Sequence, residues 1–217
     1  MNIDIDDARV LRERQEALLA ELQHRVRNIL SLVRSVFSRT LEAGGSLEDI
    51  ADHFRGRLDS LGRTQVGVTR TARGRVNLEN LIRDELLSVG ESDGPRMLID
   101  GPEVELSDRT VEGIGLAIHE LTTNSLKYGA LKTERGNVAI SWTIERSEAI
   151  GYHLDLVCNE SGVPTLAVHP AHHGFGTELI EDALPYQLNA ITGLQFRNGG
   201  VYCRIRVPLS DPACNVA

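Results

Sequence analysis

A line of polar residues at helical spacing contains the side chains best suited to bind a phosphorylated ligand. Glu120, Asn124 and Lys127 follow one another at spacings of four and three residues, so a helix would place them on one face. The Asn124 side-chain oxygen suits a magnesium ion, the Lys127 ammonium suits phosphate, and the Glu120 carboxylate suits proton or metal chemistry. An ordinary solvated helix face has the same pattern, and for these three residues alone that alternative stays open.

Two further segments could hold the rest of a nucleotide. Glu160 stands at the end of a predicted strand and is followed by Gly162, an arrangement in which a carboxylate can bind an adenine amino group. Residues 174–177 contain two glycines before a predicted short helix over 178–184, and helix N-terminal amides favour phosphate. Each pattern is weak by itself, because many strands and helices are flanked by the same residue types.

His24 lies in a long helix that the sequence predicts over residues 8–40. The heptad pattern of that helix is formed by Leu19, Leu22, Val26, Ile29, Val33 and Val36. In this register His24 occupies position f, the most exposed position of the heptad. A neutral imidazole there is a competent nucleophile near pH 7, although an ordinary surface histidine fits the pattern equally well.

A helical hairpin is predicted at the N-terminus. Gly44 and Gly45 are expected to end the first helix, and Ser46 with Asp49 forms a capping box that opens a second one. The apolar stripe of the second helix comprises Leu47, Ile50, Phe54, Leu58 and Leu61. Residues 62–75 are interpreted as the end of this helix and a linker. Because a lone hairpin buries little surface, we expect a homodimer that completes a four-helix bundle. One continuous packing surface within the chain is the alternative.

The remainder predicts helices on one side of a mostly antiparallel sheet, which is an α/β sandwich. Asn77 is expected to cap a helix over 78–89, and Ser107 a central helix that carries Glu120. The buried stripe of the central helix would comprise Val111, Ile114, Ile118, Leu121 and Ser125. Strands are predicted over 97–99, 138–144, 152–158, 194–196 and 201–207. The fold class is thus α+β, with a hairpin domain over 1–70 and a sandwich domain over 71–217.

Composition limits the classes of function. The chain has 217 residues, of which 41% are hydrophobic, and a net charge of −8, which argues against nonspecific nucleic-acid binding. Three cysteines without metal-like spacing argue against a disulfide framework or a zinc site. No apolar run approaches the roughly 20 residues of a membrane-spanning helix, and the N-terminus is acidic rather than signal-like. We therefore expect a soluble cytoplasmic protein without a direct membrane span.

Several motifs together resemble one family. Residues 119–131, HELTTNSLKYGAL, closely resemble the asparagine box of the HWE sensor histidine kinases, which are two-component kinases with a GHKL-type ATP-binding domain. Residues 21–28, ELQHRVRN, resemble the phosphoacceptor box of that family. Glu160 and residues 174–177 match its two glycine boxes, whereas Cys158 stands where the family has tryptophan. The resemblance extends over residues 18–209, and the order of the motifs is more specific than any one of them.

The resemblance implies that His24 is phosphorylated from ATP·Mg²⁺ and passes the phosphoryl group to an aspartate of a response-regulator receiver domain. It implies catalytic roles for His24, Glu120 and His119, with magnesium bound by Asn124 and Glu120. Residues 163–173 would form a lid over ATP. The implied ATP-binding residues are Asn124, Lys127, Tyr128, Glu160, Gly162, Gly174, Gly176 and Thr177.

Two alternatives remain. The first is a dimeric phosphotransfer or scaffold protein with a degenerate ATP-binding domain, which only the cysteine at position 158 favours. The second is a GHKL-type ATPase or a serine kinase that acts on a partner, but that class gives no reason for the helical hairpin or for His24.

Overall fold

The structure is a computed structural model that describes residues 3–42, 44–70, 75–92, 94–147, 151–163 and 174–209. The chain divides into two compact units, Met1–Phe54 and Arg55–Ala217. Among the described residues, no helix combines the length and the apolar character that crossing a membrane requires. The predicted domain boundary after residue 70 stays a prediction.

The first unit contains α1 (Ile3–Glu42) and the start of α2 (Leu47–Arg70), which confirms the predicted helical hairpin. Gly44 and Gly45 form the turn with φ values of 70° and 119°, a region that side chains other than glycine seldom adopt. The capping box is also confirmed, since the Asp49 amide donates to Ser46 Oγ at 3.1 Å and the Ser46 amide donates to Asp49 Oδ2 at 3.2 Å.

The apolar side chains of α1 are exposed over much of the helix. Leu19, Leu22 and Val26 are 50%, 57% and 46% exposed, whereas Val36 near the turn is 1% exposed. At the same end the rings of Phe37 and Phe54 meet edge to face at 5.2 Å. The predicted heptad seam therefore lies on a helix, but in the single chain most of it contacts solvent.

The end of α2 lies within residues 62–75, as predicted, and the helix continues through Gly62 to Arg70. Leu61 and Thr64 are 7% and 2% exposed, and the Thr64 hydroxyl donates to the Leu61 carbonyl at 2.9 Å. Burial of this turn outweighs the helix penalty of about 1 kcal/mol for a glycine. Of the predicted linker, residues 71–74 lie outside the described residues.

A small two-stranded sheet precedes the two main helices of the second unit. Its strands β1 (Arg75–Asn77) and β3 (Glu105–Ser107) pair antiparallel with Val76 opposite Leu106, and each leads directly into a helix. The ladder therefore sets the starts of those two helices side by side. Its three-residue strands were not predicted. The elements are β1 (Arg75–Asn77), α3 (Leu78–Ser88), β2 (Met97–Asp100), β3 (Glu105–Ser107) and α4 (Asp108–Tyr128).

The two predicted helix caps differ in outcome. Asn77 caps α3 as predicted, since its side chain accepts from the Asn80 amide at 3.1 Å. Ser107 stands at the N-cap of α4, but its hydroxyl lies 3.1 Å from the Thr110 hydroxyl and makes no capping bond to the backbone. The predicted position of the helix start is confirmed and the predicted bond is wrong.

Within the described residues the main sheet has five strands, in the order β2, β4 (Asn137–Ser147), β5 (Gly151–Ser161), β7 (Gly200–Pro208) and β6 (Ile191–Arg197). Of these, β2 and β4 pair in parallel and the other neighbours pair antiparallel. This confirms the predicted mostly antiparallel sheet. The hairpin between β6 and β7 turns at Asn198 and Gly199, where Gly199 has a φ of 99°.

One face of the sheet forms the core with the helices. On β5 the side chains of Leu154, Leu156 and Cys158 share one face of the strand and are buried, as expected where helices cover that face. The apolar faces of the helices are equally buried, with Ile114 and Ile118 of α4 fully inaccessible. The α/β sandwich is thus confirmed, and hydrophobic burial between its two layers is the main favourable term in its stability.

The opposite face of the sheet carries an ionic cluster around Asp155 on β5. This carboxylate is 4% exposed, and it accepts from Arg204 Nε at 2.8 Å and from Arg206 Nη2 at 2.8 Å. The hydrogen bond from Arg204 outweighs the effect of burial and, with Arg206, lowers the pKa of Asp155 to about 2. The cluster therefore stabilises the fold only while Asp155 is ionised.

We expect Asp155→Asn to lower the free energy of unfolding by about 1–2 kcal/mol at pH 6, a range that allows for solvent screening of the two arginines. Because the folded-state pKa is depressed, the contribution is complete above about pH 4 and is lost as the pH falls towards 2. Denaturant titrations should show the difference between wild type and variant roughly halved at pH 3. Asp100→Asn, an exposed control, should change stability by less than about 0.5 kcal/mol, and an equal Asp155→Asn effect at both pH values would contradict the expectation.

Candidate functional site

The polar residues predicted to line one face of helix α4 lie in two different environments, one exposed to solvent and one buried. Asn124, Lys127 and Tyr128 are exposed, with Tyr128 at 67%. Glu120, one turn before Asn124, is only 6% exposed. Since Val111, Ile114 and Ile118 fix the opposite face of α4 in the core, the burial of Glu120 requires a covering element on the polar side.

Arg57 of α2 covers Glu120. Its Nε lies 2.7 Å from Glu120 Oε1 and its Nη2 lies 3.0 Å from Oε2, so the guanidinium binds both carboxylate oxygens. The two side chains are 6% and 8% exposed. The Arg57 guanidinium also lies 3.8 Å from the centroid of the Phe175 ring, a cation–π contact.

The sequence contained a signal for Arg57 that the predictions did not use. Arg57 is three residues after Phe54 and four before Leu61, so it falls within the apolar stripe of α2. A charged residue at a buried position needs a partner of opposite charge. The pattern indicates a buried acid nearby, but it does not identify that acid as Glu120.

Glu85 on α3 forms a second buried acidic centre, which the sequence did not predict. Its fully inaccessible side chain accepts from Ser60 Oγ at 3.1 Å and from Arg63 Nη2 at 2.6 Å, and its Oε2 lies 3.3 Å from His119 Nδ1. Burial acts to raise the pKa of Glu85, but the contacts with His119 and Arg63 outweigh it and keep this pKa below its usual value. Glu85 is therefore an ionised carboxylate within the core.

His119 lies against α2 rather than beside the exposed part of α4. It is 7% exposed, and a Cβ built on Gly56 would lie 3.1 Å from its Nε2. One ring nitrogen thus faces Glu85 and the other faces the backbone of α2. The lack of a side chain at Gly56 allows this close approach.

Glu160 lies at the end of β5, beside the C-terminal end of α4. Its Oε2 accepts from the Val201 amide at 3.0 Å. A Cβ built on Gly129 would lie 2.4 Å from Glu160 Oε1, and one on Gly200 would lie 2.5 Å from Glu160 Cβ. Two positions without side chains therefore make the space for this carboxylate.

The loop after α4 is fastened at two points. Gly162 has a φ of 78°, and a Cβ there would lie 2.5 Å from the Arg135 carbonyl oxygen, so only glycine permits this approach. Arg96 donates to the carbonyls of Thr133 at 2.5 Å and Gly136 at 3.0 Å. Arg96 was not predicted, since nothing in its sequence context distinguishes it from a surface arginine.

The second glycine segment reaches the polar line of α4. A Cβ built on Gly176 would lie 3.3 Å from both Asn124 Nδ2 and Glu120 Cβ. The predicted start of the following helix at residue 178 is wrong, because the Thr177 amide already donates to the Gly174 carbonyl at 3.0 Å and helix begins at Phe175. The helical run comprises α5 (Phe175–Glu178), a π-helical turn (Leu179–Ala183) and α6 (Leu184–Leu188).

The structure thus brings the predicted residues together in two groups along α4. Asn124 and Glu120 meet Gly176, and Glu160 meets the end of the helix at Gly129. The backbone of His24 lies in α1, while its side chain falls outside the description, so its predicted exposure stays a prediction. Residues 164–173, most of the predicted lid, lie outside the described residues.

The residues at the site fit a metal ion only in part. The exposed amide of Asn124 is an available oxygen ligand, whereas both oxygens of Glu120 bind Arg57. No group of three or more histidine, cysteine, aspartate or glutamate side chains converges on a common point in the part of the chain that the structure describes. In this conformation Glu120 does not fit its predicted role as a metal ligand.

Cys158 occupies the inner face of the sheet, directly opposite Cys203 on β7. Both thiols are buried, and burial raises the pKa of Cys158 above its usual value and that of Cys203 to about 12. Cys158 therefore acts as a small apolar core residue at the position where the predicted family pattern has a tryptophan.

Comparison with known proteins shows which family the chain is similar to. Residues 21–103 match the family model described as HWE histidine kinase. The blue-light-activated histidine kinase 1 of Erythrobacter litoralis is 30% identical over 213 residues, which cover 96% of this chain and 58% of the relative. The blue-light-activated histidine kinase of Brucella anthropi is 27% identical over 209 residues, covering 96% and 42%. The chain thus spans about half the length of these two relatives.

A solved structure gives the same architecture. The histidine kinase domain of a blue-light-activated histidine kinase from Erythrobacter litoralis superposes with a TM-score of 0.57 at 19% identity, covering 88% of this chain and 91% of that domain. This likeness shows a shared fold: N-terminal helices followed by a sheet layered with helices.

Proposed function

Because the chain belongs to the HWE histidine kinase family, we propose that it transfers the γ-phosphoryl group of ATP to His24 and then to a response-regulator aspartate. The observation that carries the proposal is the arrangement along α4, where the exposed Asn124 lies beside Gly176 while Glu160 lies at the end of the same helix. Residues suited to opposite ends of one nucleotide are therefore held by a single rigid element.

In this proposal ATP binds along the exposed face of α4. Glu160 accepts a hydrogen bond from the adenine amino group, and Gly162 keeps the backbone beside it in place. Lys127 and Tyr128 contact the phosphates, and the turn at Gly174, Gly176 and Thr177 covers them. Asn124 would hold Mg²⁺, which when bound neutralises the charge of the phosphates.

The transfer exchanges one bond to phosphorus for another. An unprotonated nitrogen of His24 bonds to the γ-phosphorus, the bond from that phosphorus to the bridging oxygen breaks, and ADP leaves. Glu120 orients the imidazole and accepts the proton from its other nitrogen. Since His119 lies between Glu85 and Gly56, we assign it a positioning role for the neighbouring Glu120.

A second copy of the chain is the proposed partner of the helical hairpin. Leu19, Leu22 and Val26 remain about half exposed along the heptad seam, and burying them in a four-helix bundle would add roughly 1 kcal/mol or more for each side chain. The other proposed partner is the receiver domain that accepts the phosphoryl group from His24. Mass measurement in solution would test the dimer.

The alternative of a scaffold protein with a degenerate ATP-binding domain rests on two observations. Cys158 replaces the expected tryptophan, and Glu120 is engaged by Arg57. A titration with nucleotide in the presence of magnesium distinguishes the two functions, because the scaffold would not bind.

The experiment that tests the proposal is phospholabelling. Incubation with ATP labelled at the γ-phosphate should give a chain that carries a phosphate stable to base and labile to acid, which is the behaviour of phosphohistidine. A chain that binds Mg²⁺·ATP but acquires no label would overturn the kinase function. Acid-stable, alkali-labile phosphate on a serine of another protein would instead indicate a serine kinase.

We expect Gly129→Ala to weaken ATP binding by about tenfold without unfolding the protein. The new methyl group would lie 2.4 Å from Glu160 Oε1, so the carboxylate must leave its place near the proposed adenine site. Gly193→Ala is the matched control, because a Cβ there meets nothing within 4 Å. Titration with a fluorescent ATP analogue measures both variants, and equal affinities would contradict the assignment of Glu160.

A further inference from the structure

We infer that Arg57 is a latch that holds Glu120 in a resting state and must leave before Glu120 can act. The inference rests on the proposed kinase function and adds a step to it. Glu120 is a predicted catalytic residue, yet both of its oxygens bind Arg57, at 2.7 Å and 3.0 Å. In the described conformation the Glu120 carboxylate therefore accepts hydrogen bonds from Arg57 and does not bind an imidazole or a metal ion.

The positive charge of Arg57 keeps other cations from binding Glu120 at the same time. The guanidinium is a cation, and its planar fork matches a carboxylate in two parallel hydrogen bonds. Both side chains are nearly inaccessible to solvent, so water screens their interaction only weakly. A divalent cation or an imidazolium at Glu120 would be repelled by the adjacent guanidinium. The carboxylate can thus accept a new partner only when Arg57 moves away.

The latch also touches the glycine segment that is proposed to cover the phosphates. The Arg57 guanidinium packs 3.8 Å from the Phe175 ring centroid, and Gly176 follows directly and lies against Glu120 and Asn124. Departure of Arg57 would remove one support of the first turn of α5. The departure of Arg57 would therefore free the Glu120 carboxylate and weaken the packing of residues 174–177 beside it.

Helix α2 supplies the means of moving Arg57. Ser60 and Arg63, on the following turns of α2, bind Glu85 of α3, so residues 55–70 are fastened to two buried acids. Because α2 is one continuous helix from Leu47 to Arg70, a shift or rotation of the helix carries Arg57 with it. A contribution to stability does not by itself explain why the buried ion pair of Arg57 and Glu120 is present. Apolar side chains of similar volume often stabilise a buried site as well or better.

The test compares Arg57→Gln with wild type in the full chain. If the latch restrains the kinase, the initial rate of His24 phosphorylation should rise about tenfold in the variant, because the resting state loses its bidentate pair. Arg83→Gln is the matched control: this arginine pairs with Glu79 on the surface of α3, and its rate should equal that of wild type. An unchanged rate in Arg57→Gln overturns the latch. A rate that falls tenfold overturns it as well, since Arg57 would then assist the transfer.

A binding measurement keeps the inference separate from the kinase proposal. The latch predicts that Arg57→Gln raises the affinity for ADP with magnesium several-fold relative to ADP with a chelator, and that adding Glu120→Gln abolishes this gain. This readout needs no phosphoryl transfer, so an unlabelled wild type overturns the kinase function alone. Thermal melting checks that each variant is folded, and Arg57→Met, which removes the charge but keeps an unbranched side chain of similar length, replaces Arg57→Gln if the latter does not fold. An unchanged affinity ratio in the folded variant overturns the latch.

Discussion

Replacing His24 with alanine is expected to abolish the acid-labile phosphate, reducing the label by at least about a hundredfold. The proposed reaction forms a bond between the γ-phosphorus and an imidazole nitrogen, and alanine has no nucleophile to take its place. Because α1 continues without interruption from Ile3 to Glu42, the substitution replaces one helical residue by the best helix former. The loss of label should therefore occur in a folded protein. Quantitative autoradiography with neutral and acid-treated samples measures it.

The control for this prediction is His53→Ala, which removes the other histidine of the hairpin. His53 lies on α2 and has no role in the proposed transfer, so labelling should persist at the wild-type level. Binding of Mg²⁺·ATP should be the same in both variants, because neither histidine belongs to the nucleotide site. Undiminished label on the His24→Ala protein would place the phosphoryl acceptor on another residue.

Much of the fold could be predicted from the sequence because its signals are local. The hairpin followed from the Gly44–Gly45 turn and the capping box at Ser46 and Asp49, and the sheet followed from segments of alternating residue types such as 138–144. These features depend on residues a few positions apart, where steric preferences act without help from the rest of the chain. The sequence placed the end of α2 only within residues 62–75, because burial of Leu61 and Thr64, a long-range effect, outweighs the local preference of Gly62 and carries the helix on to Arg70.

Only part of the candidate site could be predicted by the same local reasoning. Helical spacing placed Glu120 and Asn124 on one face of α4, and the structure brings Gly176 to both of them. The partners of Glu120 and His119 come from α2 and α3, at sequence separations of 63 residues for Arg57 to Glu120 and 34 residues for Glu85 to His119. Periodicity identifies a face that must be buried, but it does not specify which distant residue covers it. This is why helical spacing predicted Glu120 as part of a ligand-binding line but did not predict its burial in an ion pair with Arg57.

Glu85→Ala is expected to be the most destabilising of the changes considered for the second unit, at about 3 kcal/mol or more. The loss comes from the partners that remain: Ser60 and His119 are buried and would be left without the carboxylate, while Arg63 is 29% exposed and can reach solvent. For a chain of this length such a change lowers the melting temperature by on the order of 10 °C. Denaturant unfolding followed by circular dichroism measures the free energy directly.

The pH dependence separates the charge of Glu85 from its packing. Since the folded-state pKa of Glu85 lies below its usual value, the ionised carboxylate stabilises the fold above about pH 4.5 and loses this effect as the pH falls through the depressed value. The stability gap between wild type and Glu85→Ala should therefore narrow in acid. Glu79→Ala, on the exposed side of the same helix, should cost less than about 0.5 kcal/mol at any pH. A gap for Glu85→Ala that stays constant down to pH 3 would mean that methylene packing, rather than the ionised carboxylate, joins α2 to α3 and α4, and the positioning role of His119 would lose its physical basis.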